Sequence, residues 1–197
     1  EVMDLFSLTA LEICEGQQMD MEFEQRNDVT AEEYLEMIRL KTAVLLAASL
    51  KIGARLGGAS VEDADRLYDF GMHIGVAFQL KDDLLDVYGN AKVFGKNIGG
   101  DILCNKKTYM LIKALEHANA DQHNQLNSWI NAETFQPAEK IAAVTELYDR
   151  IGVKAVCENK ILEYSNRAME SLAAVSIAEE KKEELKKIIE NLIHREV

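Results

Sequence analysis

The chain has 197 residues, 48% of them hydrophobic and 28% charged, with a single proline, Pro137. That length suits one domain, and the balance allows a sizeable core, which argues against an intrinsically disordered chain. With 34 acids against 22 bases the formal net charge is −12. No domain-wide positive field exists to displace counterions from nucleic acid, so an anionic ligand would have to be met by a metal or by a few placed lysines.

Helical spacing of Leu5, Leu8, Ile13 and Met21 predicts a first helix over 2–26, with Gly16 as a local weakness. Thr30 followed by Glu33 is a capping-box signature, and the helix it starts should run to about Arg55 and stop at Gly57-Gly58. Ser60 followed by Asp63 starts another, expected to reach about Val87. The stretch from Tyr88 to Asn105 holds Gly89, Gly95, Gly99 and Gly100 and reads as a long glycine-rich connection. Helices resume over 106–117, over 137–150 with Pro137 in the first turn, and over 153–173. The tail, 178–194, reads as a solvated helix supported by Glu183 and Lys187. Met19, Met21, Met37 and Met72 are expected to fill the core, and Trp129 to pack. No alternating strand pattern occurs, so the fold class is all-α.

Cys14, Cys104 and Cys157 lie far apart and odd in number, which points to reduced thiols and a cytoplasmic address. The longest apolar-leaning run, Phe70 to Leu80, is well short of the ~20 residues of a membrane span. The first residue, Glu1, already lies inside a helical pattern, so the chain reads as a piece of something longer.

The chemistry concentrates in Phe78-Gln79-Leu80-Lys81-Asp82-Asp83-Leu84-Leu85-Asp86. At 100° per residue, Gln79, Asp82, Asp83 and Asp86 fall in one sector of a helix. Stacked carboxylates repel one another, which a wet face tolerates and a cleft relieves with divalent cations. Magnesium takes oxygen ligands, keeps several waters, and is commonly held by one or two carboxylates plus substrate phosphates. The acidic turn leads into the glycine-rich segment with Lys96, then Asp101, then Asn105-Lys106-Lys107-Thr108-Tyr109. Lysines on flexible backbone beside carboxylates suit a polyphosphate clamp, and they also suit a plain solvated loop. On chemistry alone both readings stand.

These residues resemble a known family. Phe78-Gln79-x-x-Asp82-Asp83-x-x-Asp86, then Gly95-Lys96, Gly100-Asp101 and Lys106-x-Thr108-Tyr109 are similar to the second aspartate-rich motif and following loop of trans-polyprenyl diphosphate synthases, the farnesyl and geranylgeranyl diphosphate synthases among them. Upstream, Glu15-Gly16-Gln17-x-x-Asp20 resembles the family's G-Q-x-x-D helix, and Lys41-Thr42 its K-T pair. The resemblance runs from about Leu11 onward. It implies an isoprenoid synthase-type helical bundle around a central cavity, commonly a homodimer. It implies magnesium, and a reaction in which an allylic diphosphate ionises and is attacked by isopentenyl diphosphate.

By the same resemblance Asp82, Asp83, Asp86 and Asp20 belong to the metal site. Lys41, Lys96 and Lys106 would bind the allylic diphosphate, with Gln17 facing the same cavity. Lys41, Thr42, Gln79 and Lys96 would serve the chemical step, Thr42 and Gln79 by turning oxygens toward the nascent cation. One departure matters. The family's first D-D-x-x-D motif and the arginines after it do not precede Leu11. Residues 1–197 therefore match the C-terminal part of a single polyprenyl synthase domain, which on its own is expected to be inactive. A non-catalytic subunit of the same fold, a terpene cyclase and a head-to-head synthase are the alternatives on these residues.

Overall fold

The helical periodicity resolves, across the residues described by the computed structural model (2–89 and 98–194), into a chain of helices. They are α1 (Val2–Phe23), α2 (Ala31–Ile38), a π-turn (Arg39–Ala43), α3 (Val44–Leu56), α4 (Val61–Tyr88) and α5 (Gly100–Leu103). After these come α6 (Tyr109–His117), α7 (Ala120–Ile130), α8 (Pro137–Ile151), α9 (Val153–Ala173), a 3₁₀ turn (Glu179–Lys181) and α10 (Glu183–His194). No strand occurs among the described residues.

Local chemistry sets the boundaries. Thr30 Oγ1 accepts from the Glu33 N–H at 3.2 Å while Glu33 Oε2 accepts from the Thr30 N–H at 2.9 Å, the reciprocal box that starts α2. Ser60 Oγ accepts from the Asp63 N–H at 3.0 Å and starts α4. Pro137 sits in the first turn of α8, where its missing N–H costs nothing. Gly152, at φ +85°, ends α8 and opens α9.

The long helix α4 is central, flanked by α3 on one side and α9 on the other. Phe70, Ile74, Ala77, Leu80 and Leu84 recur along it at three- and four-residue steps and are buried, which makes them the spine of the core. Helices α3 and α4 run antiparallel and touch backbone to backbone. A Cβ on Gly71 would lie 2.6 Å from Ala47 Cα, and one on Gly75 would lie 2.6 Å from Ala43 Cα. Helix α1 makes the same kind of approach to the π-turn: a Cβ on Gly16 would run into the Lys41 amide and come within 2.8 Å of Leu40 Cβ. The expected weak point is thus a contact that only glycine permits.

Several expectations need correction. The helix from Thr30 to Arg55 is not regular but holds the π-turn at Lys41-Thr42. The helix expected from Lys106 begins at Tyr109, because Thr108 accepts from the Leu111 N–H as its N-cap. Helix α7 was not foreseen: its sequence is polar, Leu126 is its one fully buried residue, and its signal is the Asn119/Gln122 capping box. The tail helix is not simply solvated, since Ile189 and Leu192 are buried, and Lys187 pairs with Glu184 rather than Glu183. Met37 is buried but Met21 is 55% exposed, on the outward side of α1.

Candidate active site

The π-turn is where the site begins. The Val44 N–H bonds to the Arg39 carbonyl, five residues back, so one residue more than α-helical geometry allows is fitted into the turn. Lys41 and Thr42 occupy that widened turn. Lys41 Nζ donates to Asp20 Oδ2 of α1 at 2.7 Å, both side chains being partly exposed. Thr42 Oγ1 donates to Gln79 Oε1 of α4 at 3.3 Å rather than back to its own helix. Gln79 Nε2 in turn donates to Asp83 Oδ1 at 3.1 Å, and the Tyr34 hydroxyl of α2 donates to Asp83 Oδ2. The K-T pair, the α1 aspartate and the α4 acidic turn are thereby tied together by side chains.

The three aspartates of the acidic turn part ways. Asp83 is 2% exposed, and burial pushes its carboxyl up to about 7 against the opposing pull of Tyr34, Lys106 and Gln79. Both of its oxygens are engaged by protein donors. Asp82 and Asp86 are half-buried and lie one turn apart on the same helix face. The chain returns onto Asp86 beyond the glycine-rich segment: Asp86 Oδ2 accepts from the Asp101 N–H at 2.9 Å, and its carbonyl from the Gly99 N–H at 2.6 Å.

Asp101 also meets Lys106, with Nζ 3.5 Å from Oδ1. Burial raises the Asp101 carboxyl, Lys106 opposes that rise, and Asp86 and Asp82 reinforce it. For Lys106, burial favours the neutral amine, but Asp101, Asp83 and Asp20 together outweigh it and hold the ammonium charged. Of the two adjacent lysines it is therefore Lys106 that faces the carboxylates, while Lys107 reaches the Asn105 carbonyl at 3.4 Å.

Gln17 is exposed on α1, one turn before Asp20. Lys96, with Gly95, lies outside the described residues. Tyr34 was missed in sequence, because an aromatic at helical spacing two turns before Lys41 reads as core. Asp101 stood inside a quoted motif, but nothing in its spacing from Asp86 announced that its backbone would bond the Asp86 carboxylate.

No group of three or more ligating side chains converges to hold a metal ion among the described residues. Asp82 and Asp86 nevertheless offer two carboxylates on one face, and Asp20 of α1 acts with Asp101 and Asp83 on the same Lys106 ammonium. Two carboxylates, leaving the rest of the coordination to water and phosphate oxygens, is the donor set that magnesium takes. Beginning at Lys41 and Thr42, an open groove of ≈ 820 Å³ is bordered by the π-turn, α3, α4 and α10, lined by Leu45, Leu46, Ile74 and Phe78 among others. Lys41 and Thr42 stand at one end, and the remaining lining is apolar apart from Ser49 and Asn191.

A helical bundle whose acidic turn, K-T pair and apolar groove are arranged in this way defines the isoprenoid synthase class of fold. The family model for polyprenyl synthetase matches residues 1–148, and the chain belongs to that family. The short chain isoprenyl diphosphate synthase of Methanothermobacter thermautotrophicus is 38% identical over 188 residues, which cover 95% of this chain and 57% of that one. A crystal structure of a geranylgeranyl pyrophosphate synthase superposes with a TM-score of 0.92 at 38% identity, covering 98% of this chain and 60% of that one. The geranylgeranyl pyrophosphate synthase of Corynebacterium glutamicum, solved in complex with isoprenyl diphosphate and magnesium, gives 0.89 at 29% identity, covering 98% and 55%. The chain thus spans little more than half the length of these relatives. No helix among the described residues is long and apolar enough to cross a membrane.

Proposed function

We propose that this chain carries the second aspartate-rich wall of a short-chain trans-prenyltransferase, which joins an allylic diphosphate to isopentenyl diphosphate. The observation that carries the reading is the joining of the K-T pair to the acidic turn through Thr42, Gln79 and Asp83 at the head of an apolar groove. Asp82 and Asp86 would hold magnesium, with Asp20 beside them, and the ion would neutralise the charge that grows on diphosphate as it leaves. Lys41 and Lys106, with Lys96, bind the diphosphate oxygens. Thr42 and Gln79 present oxygen dipoles where the groove begins, opposite the carbon that becomes positive. Leu45, Leu46, Ile74 and Phe78 keep water from that carbon. Asp83 acts differently: buried, with both oxygens engaged, it fixes Gln79 and Tyr34 rather than reaching for the metal.

Residues 1–197 contain one aspartate-rich motif, so we assign turnover to the longer protein and expect none from this chain alone. The outward residues Met3, Phe6, Leu8 and Leu11 of α1, all more than half exposed, support self-association, a homodimer in the cytoplasm being the reading we favour.

Binding tests the proposal on the chain as it is. An allylic diphosphate should raise the melting temperature mainly when magnesium is present, since ligand at a hundred times its dissociation constant stabilises the native state by about 2.7 kcal/mol. Equal shifts with and without magnesium would overturn the metal-bridged site. Product formed from labelled isopentenyl diphosphate by the monomeric chain would overturn the assignment of turnover to a longer protein.

A further inference from the structure

Lysine is seldom buried, and a cation is disfavoured where a helix begins. Lys140 is a buried cation at the start of a helix. It lies three residues after Pro137 in α8, is 1% exposed, and among the described residues has no carboxylate partner. Its ammonium sits 4.3 Å from the centre of the Phe135 ring and donates to Asn105 Oδ1 at 2.7 Å. The cavity it lines with Lys106, Asp101 and Tyr148 measures ≈ 20 Å³, room for about one water and none for a phosphate group. Lys140 therefore serves Asn105 rather than an anion of its own.

Asn105 stands at φ +52°, the one left-handed residue other than glycine among those described. Glycine adopts that backbone at less cost, so what asparagine adds is its amide. Nδ2 donates to the Ile130 carbonyl at 2.9 Å, an acceptor left over where α7 ends, while Oδ1 takes the bond from Lys140. The amide is held at both ends, by the last turn of α7 and the first of α8. Its backbone opens the turn from which Lys106 reaches inward. There the Lys106 N–H donates to the Asp101 carbonyl at 2.9 Å, and the Thr108 N–H to the Lys106 carbonyl at 2.8 Å. That turn is what brings Lys106 Nζ to 3.5 Å from Asp101 Oδ1.

We propose that Lys140 is a positioning residue for diphosphate binding: through the Asn105 amide it holds the turn that aims Lys106 at the carboxylates. This rests on the reading of Lys106 as a diphosphate ligand. Lys140 itself touches neither diphosphate nor metal. A charge-assisted bond in a water-poor interior is stronger than a neutral one, so the buried ammonium keeps closed a turn that glycine would leave free to open. Burying the ammonium is costly, and a methionine stem would fill the same space without that cost. Packing alone therefore does not account for the charge.

Two measurements on the 197-residue chain test this: calorimetry with inorganic pyrophosphate and magnesium, and amide hydrogen exchange without ligand. Lys140→Met keeps the stem and removes the charge, and Asn105→Gly keeps the backbone conformation and removes the amide. Each should weaken pyrophosphate binding about tenfold and speed exchange of the Lys106 and Thr108 amides about tenfold, with the amides of α4 unchanged. The double variant should lose no more than either single one, because both act on the same turn. Wild-type exchange at Lys106 and Thr108, additive losses, or wild-type binding where Lys106→Met does weaken it each overturn the inference. So does faster exchange throughout α4 in Lys140→Met with Asn105→Gly at wild-type values, which marks Lys140 as packing alone. Faster exchange confined to the turn, with pyrophosphate binding that even Lys106→Met leaves unchanged, upholds Lys140 as the residue that holds Lys106 and removes the diphosphate reading instead.

Discussion

Gly53 and Gly75 pose the same chemical question with opposite answers. Both lie inside helices, and in an exposed helix interior glycine to alanine stabilises by about 0.8–1.0 kcal/mol. At Gly53 nothing lies within 4 Å of a new Cβ, so that gain should be realised in full. At Gly75 the new Cβ would sit 2.6 Å from Ala43 Cα and 2.7 Å from Ala43 Cβ, where carbon atoms prefer about 3.5–4.0 Å. Backbone of the π-turn, not a flexible side chain, would have to yield. Overpacking of this kind costs about 1–3 kcal/mol, and a clash with backbone belongs at the upper end of that range. Gly75→Ala should therefore lose about 1–2 kcal/mol net, and the two variants should differ by about 2–3 kcal/mol. For a chain of this size that is a separation of roughly 5–10 °C between their melting temperatures. Urea melts on the two variants would give the same difference without heating. Equal stability of Gly75→Ala and Gly53→Ala would refute the close approach of the π-turn to α4, and with it the register that places Thr42 against Gln79.

Two further outcomes follow from other parts of the molecule. Lys41→Met should barely change the melt, because a half-exposed pair such as Lys41–Asp20 contributes about 0–1 kcal/mol, yet it should weaken magnesium-dependent diphosphate binding at least about tenfold through loss of a charge-assisted bond; unchanged binding by calorimetry would dismiss Lys41 as a ligand. Burial and the nearby Arg167 hold the His73 ring below its usual 6.5, with Asp69 and Glu170 opposing, so the native state binds fewer protons than the unfolded one. The associated stability is present above about pH 6.5 and is lost as pH falls through the folded-state value, and His73→Leu should flatten the wild-type decline in urea melts over that window, a parallel decline in both proteins counting against it.

The helices were legible where one residue announces them. Thr30 with Glu33, Ser60 with Asp63, and Pro137 each marked a start that the structure keeps. The acidic turn was legible too, because a 3.6-residue repeat alone puts Asp82 and Asp86 on one face. What sequence could not reveal is which carboxylate looks inward. Asp83 differs from Asp82 by 100° of rotation, and only the packing of α2 against α4, through Tyr34, decides that it is the buried one. The π-turn was invisible for a related reason. Its residues, Arg39 to Ala43, are ordinary helix formers, and the fifth residue is accommodated by Gly16 and Gly75 on neighbouring helices rather than by any local signal. Helix α10 was read as solvated because its charges dominate the count, yet Ile189 and Leu192, three residues apart, bury against the core.

The π-turn also constrains how this segment can change in length. Removing one residue between Arg39 and Ala43 would restore an ordinary α-helical ladder and, in isolation, a better helix. The halves on either side would keep nearly their present register, because a π-turn takes up its extra residue as a local bulge in the ladder. What would go is the widened turn itself, which holds Lys41 toward Asp20 and Thr42 toward Gln79. A one-residue insertion or deletion elsewhere between Thr30 and Leu56 has no such outlet: it turns one half by about 100° against the other, and Tyr34 and Asp83 could then stay together only if Ala43 left Gly75, or the reverse. The π-turn is therefore the one place in this stretch where a residue can be lost without misaligning half of the helix.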